Sequence, residues 1–446
     1  MGQAEKKRAG GRVPRPALAL LSLLLLPACL DQGQGGVARL LMPDPAPVAE
    51  GLDADATEAE TSVVLQDLMA RRSALPPDTA LDKVAGAVLV ADTRAAQAEL
   101  RSARLRARAQ SRNWLPSIGP QVSLSSLGSV VAMLVVEQVL FDNGRKLAER
   151  DFAKADVEVA AVALVQDSND RVLTALTLYL AAREAQDKAL LAQAAERDMT
   201  HFEWVMSERV AGGISDRSDL QVLHQKLAEI RATGQTETEA ARAALAELSA
   251  MGVGPDDLAD HDAIAPLHLP ETLPVPLPVR LAEAEKNRAE ARARIDRAGF
   301  LPAITANAAL GRGAPDPSLD IRTSRPLGFG TADDLRAIAA ATEGESRKVD
   351  QAREESNRQL RRLEQERTAL MRQAAEATVL SNRAKANLDL FQSQYDAGQR
   401  QVMDVVGLYE QFARQQQSVA SLRYRAALAE LQIAATLGLL ADGDKL

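Results

Sequence analysis

Trp114-Leu115-Pro116-Ser117-Ile118 decides the fold, because it returns 186 residues later as Phe300-Leu301-Pro302-Ala303-Ile304. A second pair of landmarks keeps almost the same offset. Gly213 is followed six residues on by Asp219, and Gly398 is followed six residues on by Asp404. Two landmarks repeated at one spacing imply a duplicated unit of about 185 residues, far longer than a solenoid repeat.

Outward from each Leu-Pro pair the same parts recur. A helix is predicted before it, over residues 81–113 in the first repeat and 279–298 in the second, because a residue preceding proline avoids the α region. Strands follow. Ile118, Val122 and Leu124 alternate with Gln121, Ser123 and Ser125, and Ile304, Ala306, Ala308 and Leu310 alternate with Thr305, Asn307 and Ala309. A period of two belongs to strands with one apolar face. In the first repeat Leu127-Gly128-Ser129 is a turn signal, and the chain returns as a strand from Val130 to Phe141. In the second, a loop with Pro315 and Pro317 leads to a return strand predicted near residues 321–329.

Each hairpin is followed by a run free of proline, over residues 147–209 and 332–395, and each would extend on the order of 95 Å as a helix. In the second run Leu360, Leu363, Arg367, Leu370, Ala374, Ala377, Ser381, Ala384, Leu388, Phe391 and Tyr395 step by three and four, which predicts a coiled-coil seam. Turns at Gly213 and Gly398 then lead into return helices over residues 219–251 and 402–440. Ser218 to Gln221 has the spacing of a capping box, with Ser218 as the cap.

The composition agrees with long helices. Only 3% of the 446 residues are aromatic and 26% are charged. A net charge of −8 argues against a general nucleic-acid binder. At the amino terminus Lys6, Lys7, Arg8, Arg12 and Arg15 precede an apolar run from Ala17 to Leu26, too short to span a bilayer and suited to a signal peptide. Cys29 is the single cysteine, so no intrachain disulfide forms. Leu26-Pro27-Ala28-Cys29 resembles the bacterial lipobox, which implies a covalent lipid such as palmitate on Cys29. Leu30 in place of the aspartate that signals inner-membrane retention implies the Gram-negative outer membrane. A plain secretory signal with an incidental cysteine is the alternative.

These signals divide the chain into a signal segment (1–28), a flexible tether (29–62), a first repeat (63–251), a Pro-rich break (252–278), a second repeat (279–440) and a short tail (441–446). The expected fold class is mainly α with a small β part: two tandem repeats, each of long coiled-coil helices plus a β-hairpin.

From about Leu81 to Leu440 the chain resembles the TolC-like outer-membrane efflux proteins. The resemblance is carried by the doubled Leu-Pro at each hairpin entry (Leu115, Pro116, Leu301, Pro302), by Leu140-Phe141-Asp142-Asn143-Gly144-Arg145 closing the first hairpin, and by the two glycine turns followed by aspartate. It implies a homotrimer in which each chain gives four strands to a twelve-stranded barrel and its helices to a periplasmic tunnel. It also implies partners: a periplasmic adaptor protein meeting the turns, an inner-membrane transporter, and outer-membrane lipid. Physics supports such an assembly, since four strands cannot close on themselves and leave open edges that lipid does not tolerate. Two departures from the family stand out. The hairpins carry few aromatics beyond Trp114, Phe141, Phe300 and Phe329, and Arg312, Arg322 and Arg325 crowd the second hairpin.

Gly213, Asp219, Gly398 and Asp404 are the candidate residues of the periplasmic tip. The glycines suit left-handed turns. The aspartates suit two readings: first-turn acids favoured by the helix dipole, or, by the resemblance, carboxylate rings that gate the pore. Catalytic, cofactor and metal sites are not expected. The histidines at 201, 224, 261 and 268 lack metalloprotease spacing, and Gly-Arg-Gly at 311–313 and Gly-Phe-Gly at 328–330 are incomplete dinucleotide fingerprints. The expected function is a passive exit duct for small molecules in a tripartite export system. Type I protein secretion and a non-transporting periplasmic scaffold are the alternatives.

Overall fold

The structure is a computed structural model that describes residues 62–91, 95–124, 130–258, 265–310 and 316–443. Cys29, the signal segment, the 127–129 turn, His261 and Arg312 lie outside the described residues. The described elements are mainly helical: α1 (Val63–Met69), α2 (Ala80–Val90), α3 (Ala95–Ser111), β1 (Ser117–Leu124), β2 (Val130–Phe141), α4 (Arg145–Ala211), α5 (Arg217–Ala250), α6 (Leu277–Ala298), β3 (Pro302–Leu310), β4 (Asp316–Thr323), α7 (Thr331–Asp396) and α8 (Val402–Thr436), with a short 3₁₀ turn at Asp256–Leu258.

The duplication is visible in element lengths. The long helices α4 and α7 have 67 and 66 residues, and the return helices α5 and α8 have 34 and 35. At 1.5 Å per residue, each long helix runs roughly 100 Å. Toward the glycine turns, α4 packs between α5 and α8, and α8 packs on α7. Toward the sheet, α4 packs between α3 and α6, and α6 packs on α7. The predicted seam of α7 forms. Leu360, Leu363, Leu370, Ala377, Ser381, Ala384 and Leu388 are buried, and Arg367, Ala374, Phe391 and Tyr395 are half-buried.

Three expectations are corrected. The single helix over 81–113 is two helices, because the first ends with its C-cap at Ala91. There Gly252, at φ +98°, presses so close that a Cβ on it would lie 2.4 Å from the Ala91 Cβ. The return strand near 321–329 is instead Asp316–Thr323. Pro326 and Gly328 follow its end, and Leu327 and Phe329 lie exposed outside it. The cap of α5 is Asp216, which puts Ser218 inside the first turn. The capping box belongs to α8, where Gln401 and Asp404 exchange bonds.

Midway along the long helices, three distant segments meet on one buried arginine. Arg71 donates to the Leu437 carbonyl at 2.7 Å, the Val275 carbonyl at 2.8 Å and the Asp67 carboxylate at 2.7 Å. Arg280 also pairs with Asp67 at 3.1 Å. Burial raises the Asp67 pKa, but hydrogen bonds and charge from Arg71 and Arg280 outweigh it and hold the carboxyl below its usual range. The chain after α8 is closed by further bonds, Ala74 N–H to the Leu439 carbonyl and Leu440 N–H to the Asn169 side chain. Gly438 (φ +67°) tolerates no side chain here, since a Cβ would meet Arg71 at 2.6 Å.

Candidate channel surfaces: the strand layer and the helix turns

The four strands form one antiparallel sheet in the order β1-β2-β3-β4, so the central β2–β3 pairing joins the two repeats and β1 and β4 are open edges of the single chain. Register assigns each residue to a face. Ser117, Glu137, Asn307 and Ser318 make one row across all four strands, and Ile118, Val136, Ala308 and Pro317 make the next row on the other face. The apolar face continues through Leu134 beside Leu310, Ala306 beside Leu319, and Ile304 beside Ile321. Its polar members are Thr323, beside Pro302, and Gln138, which turns its amide onto the Trp114 and Val139 carbonyls at 2.9 and 3.0 Å. The other face is mixed: it holds Met133, Val135 and Val139 on β2 but Thr305, Asp320 and Arg322 on β3 and β4, with Asn307 donating to Asp320 at 2.6 Å and Arg322 to Asp320 at 3.3 Å. Arg322 therefore sits off the apolar face. Arg325 sits below the strands, bonded to Asp296 at 2.8 Å and stacked 5.4 Å from the Phe300 ring.

The two Leu-Pro pairs stand where the two hairpins begin. Leu115 and Pro116 immediately precede β1, and Leu301 precedes Pro302, the first residue of β3. Asn143, after β2, ties the repeats together by donating to the Pro302 carbonyl at 2.8 Å. Trp114, Leu115, Phe141, Leu301 and Phe329 stand exposed at this end of the sheet, whereas Phe300 is buried.

The glycine turns are two copies of one device. Gly213 N–H bonds the Val210 carbonyl at 3.1 Å and Ile214 N–H bonds Arg209 at 2.8 Å. Gly398 N–H bonds Tyr395 at 2.8 Å and Gln399 N–H bonds Gln394 at 2.9 Å. Both are Schellman motifs, and φ of +71° and +73° at Gly213 and Gly398 explains the residue type. Asp219 and Asp404 occupy the same position, the third residue of the following helix. One core cluster holds Met206 and Leu223 from the first turn region with Leu388 and Val402 from the second, so both turns lie at the same end of the helix layer. The sheet and its Leu-Pro entries lie at the other. Asp404 accepts from the Gln401 N–H, which gives the capping reading a direct partner.

Above the turns, two part-buried links that no sequence pattern flagged join α8 to α4. Tyr409 donates to Asp198 at 2.5 Å and Tyr424 to Asp187 at 2.7 Å. Burial, the hydrogen bond and the neighbouring carboxylate push both phenols well above their ordinary pKa, so they remain donors. The signal was present: half of the chain's four tyrosines lie on one helix, opposite two aspartates three helical turns apart.

The chain matches no protein-family profile and no curated protein sequence. Solved structures do match. The outer membrane protein VceC from Vibrio cholerae is 17% identical with a TM-score of 0.66, over 80% of this chain and 96% of that one. CusC, described in terms of transmembrane channel formation, is 14% identical with a TM-score of 0.71, over 81% and 92%. The MtrE outer membrane channel of Neisseria gonorrhoeae, in its open state, is 16% identical with a TM-score of 0.66, over 85% and 96%. The chain has the fold of the TolC-like outer-membrane channels.

Proposed function

We propose that the protein is an outer-membrane channel, a homotrimer whose three four-stranded sheets close into one barrel and whose helices continue it as a tunnel into the periplasm. The observation that carries this reading is the sheet: one face apolar across all four strands apart from Gln138 and Thr323, the other mixed, with Glu137, Thr305, Asn307, Asp320 and Arg322 among Met133, Val135 and Val139, and both edges, β1 and β4, unpaired among the described residues. In lipid an apolar face is favoured outward, a polar one faces water, and unpaired edges require neighbours. The channel serves as a passive exit duct for small molecules, with the Gly213 and Gly398 turns meeting a periplasmic adaptor that links it to an inner-membrane transporter. Cys29 carries the lipid that anchors it, a point tested by intact mass. Three acyl chains are expected, and an unmodified thiol in the mature protein refutes the anchor.

The experiment for the channel itself is conductance of the purified trimer in planar bilayers. Discrete steps are expected. A folded trimer that inserts without conducting would refute the duct and favour an envelope scaffold.

A further inference from the structure

Where the strands meet the helices, a cavity of about 530 Å³ opens between α3, α4, α6 and the end of β4. Four arginines line it, Arg106, Arg145, Arg292 and Arg325, against three carboxylates, Glu149, Asp156 and Asp296. The two signs are not equally presented. The arginine side chains are 39–66% exposed, whereas the carboxylates lie beneath them at 20–26%. Asp296 is shared by Arg292 and Arg325, and Asp156 is shared by Arg106 and Arg288. The carboxylates thus order the guanidinium groups without covering them, and the chamber presents cationic forks to its solvent.

Two contacts place the chamber. Arg145 bonds Ser324, in the bend directly after β4, so the chamber lies against the end of the sheet. On α4, Arg145, Glu149 and Asp156 form one stripe, and Glu158, about half a turn away, accepts instead from Ser62 at the start of α1. The chamber therefore lies where the helices meet the end of the sheet, on the side of α4 away from α1.

The geometry points to a lumenal anion-binding site: three such chambers, one per protomer, encircle the pore just below the strands and hold solutes bearing phosphate or carboxylate groups. Arginine suits this chemistry because its planar fork meets such oxygens two at a time. The lumenal position rests on the channel reading above; the binding itself does not.

The test uses the full-length trimer and inorganic pyrophosphate as the probe, with the variant Arg145→Gln/Arg325→Gln and the charge-retaining control Arg145→Lys/Arg325→Lys. Calorimetric titration should show pyrophosphate binding to the native trimer, at least tenfold weaker binding to the Gln variant and partial retention in the Lys control. Equal binding by native and Gln proteins, or none by either, overturns the site. In a KCl gradient across a bilayer, the reversal potential should shift toward cation selectivity in the Gln variant alone, and an unchanged potential overturns the lumenal placement. Loss of all conductance in the native protein with pyrophosphate binding intact would count against the duct and leave the site standing.

Discussion

Replacing Arg71 with alanine should loosen the middle of the molecule without disturbing either end. Its side chain is 2% exposed and satisfies two backbone carbonyls, Leu437 and Val275, besides Asp67. Each buried acceptor left without a donor costs about 1–3 kcal/mol. Asp67 keeps Arg280, so no buried charge is stranded, and the sum falls near the lower end, about 3 kcal/mol. Because about 1.4 kcal/mol is a factor of ten, local opening should become about a hundredfold more frequent. Hydrogen exchange followed by mass spectrometry on the purified protein at pH 7 reads this directly. Peptides covering 62–75 and 434–443 should exchange about a hundredfold faster, while those covering 199–206 near the turns keep their protection. Arg71→Lys, which offers one point charge in place of a fork, should fall between. The same peptides in the native protein should lose protection as pH falls below about 4. A carboxyl whose folded pKa is depressed contributes stability above its unfolded pKa and loses it on protonation. Unchanged exchange in Arg71→Ala would mean that the three segments are held by packing alone, and the reasoning from hydrogen bonds would be wrong.

Further outcomes follow from the seams and faces. Tyr424→Phe removes a donor from the half-buried Asp187 and should destabilise the α4–α8 contact by about 1–3 kcal/mol, whereas Tyr409→Phe, whose acceptor Asp198 is exposed to water, should cost about 0.5–1.5 kcal/mol, both seen as faster exchange near 187–198. In the native protein this contact should weaken only above about pH 10, since a phenol with a raised folded pKa contributes fully below its unfolded value and loses that contribution as pH rises. Gly213→Ala and Gly398→Ala meet no atoms within 4 Å, so each should cost about 1–2 kcal/mol through backbone strain alone, measured by exchange at the turns. Val136→Arg on the apolar face should cost about 2–4 kcal/mol and block insertion into liposomes, whereas Ser318→Arg on the other face should insert normally.

The long-range plan was legible because periodicity is a local property. The α7 seam could be listed residue by residue from Leu360 to Tyr395, and strand alternation placed Ile304 and Thr305 on opposite faces, because both patterns depend on which surface a residue turns to its neighbours. The Gly213 and Gly398 turns were legible for a similar reason: a left-handed residue after a helix has few occupants other than glycine. What stayed hidden depends on tertiary approach. The close approach of Gly252 to the α2 C-cap at Ala91 joins residues 161 positions apart, out of reach of any local pattern. Arg71 and Arg72 are adjacent arginines, and only the arrival of Leu437 and Val275 distinguishes them. The α5 cap was misplaced because Asp216 and Ser218 are both competent caps two residues apart. The arginine chamber was hidden because its members come from three helices and a strand end.

The central pairing of β2 with β3 has a consequence for biogenesis. Val139 and Thr305 are partners in the sheet although they belong to different repeats, so the sheet cannot form until the second hairpin has been synthesised. The first hairpin emerges with Ile118, Val122 and Val136 on one face and no third strand to pair with. An isolated hairpin is marginal in water and its free edge invites aggregation. In the channel proposed above, the first hairpin has to be kept from mispairing until the second arrives, and insertion of the complete sheet follows synthesis of both repeats.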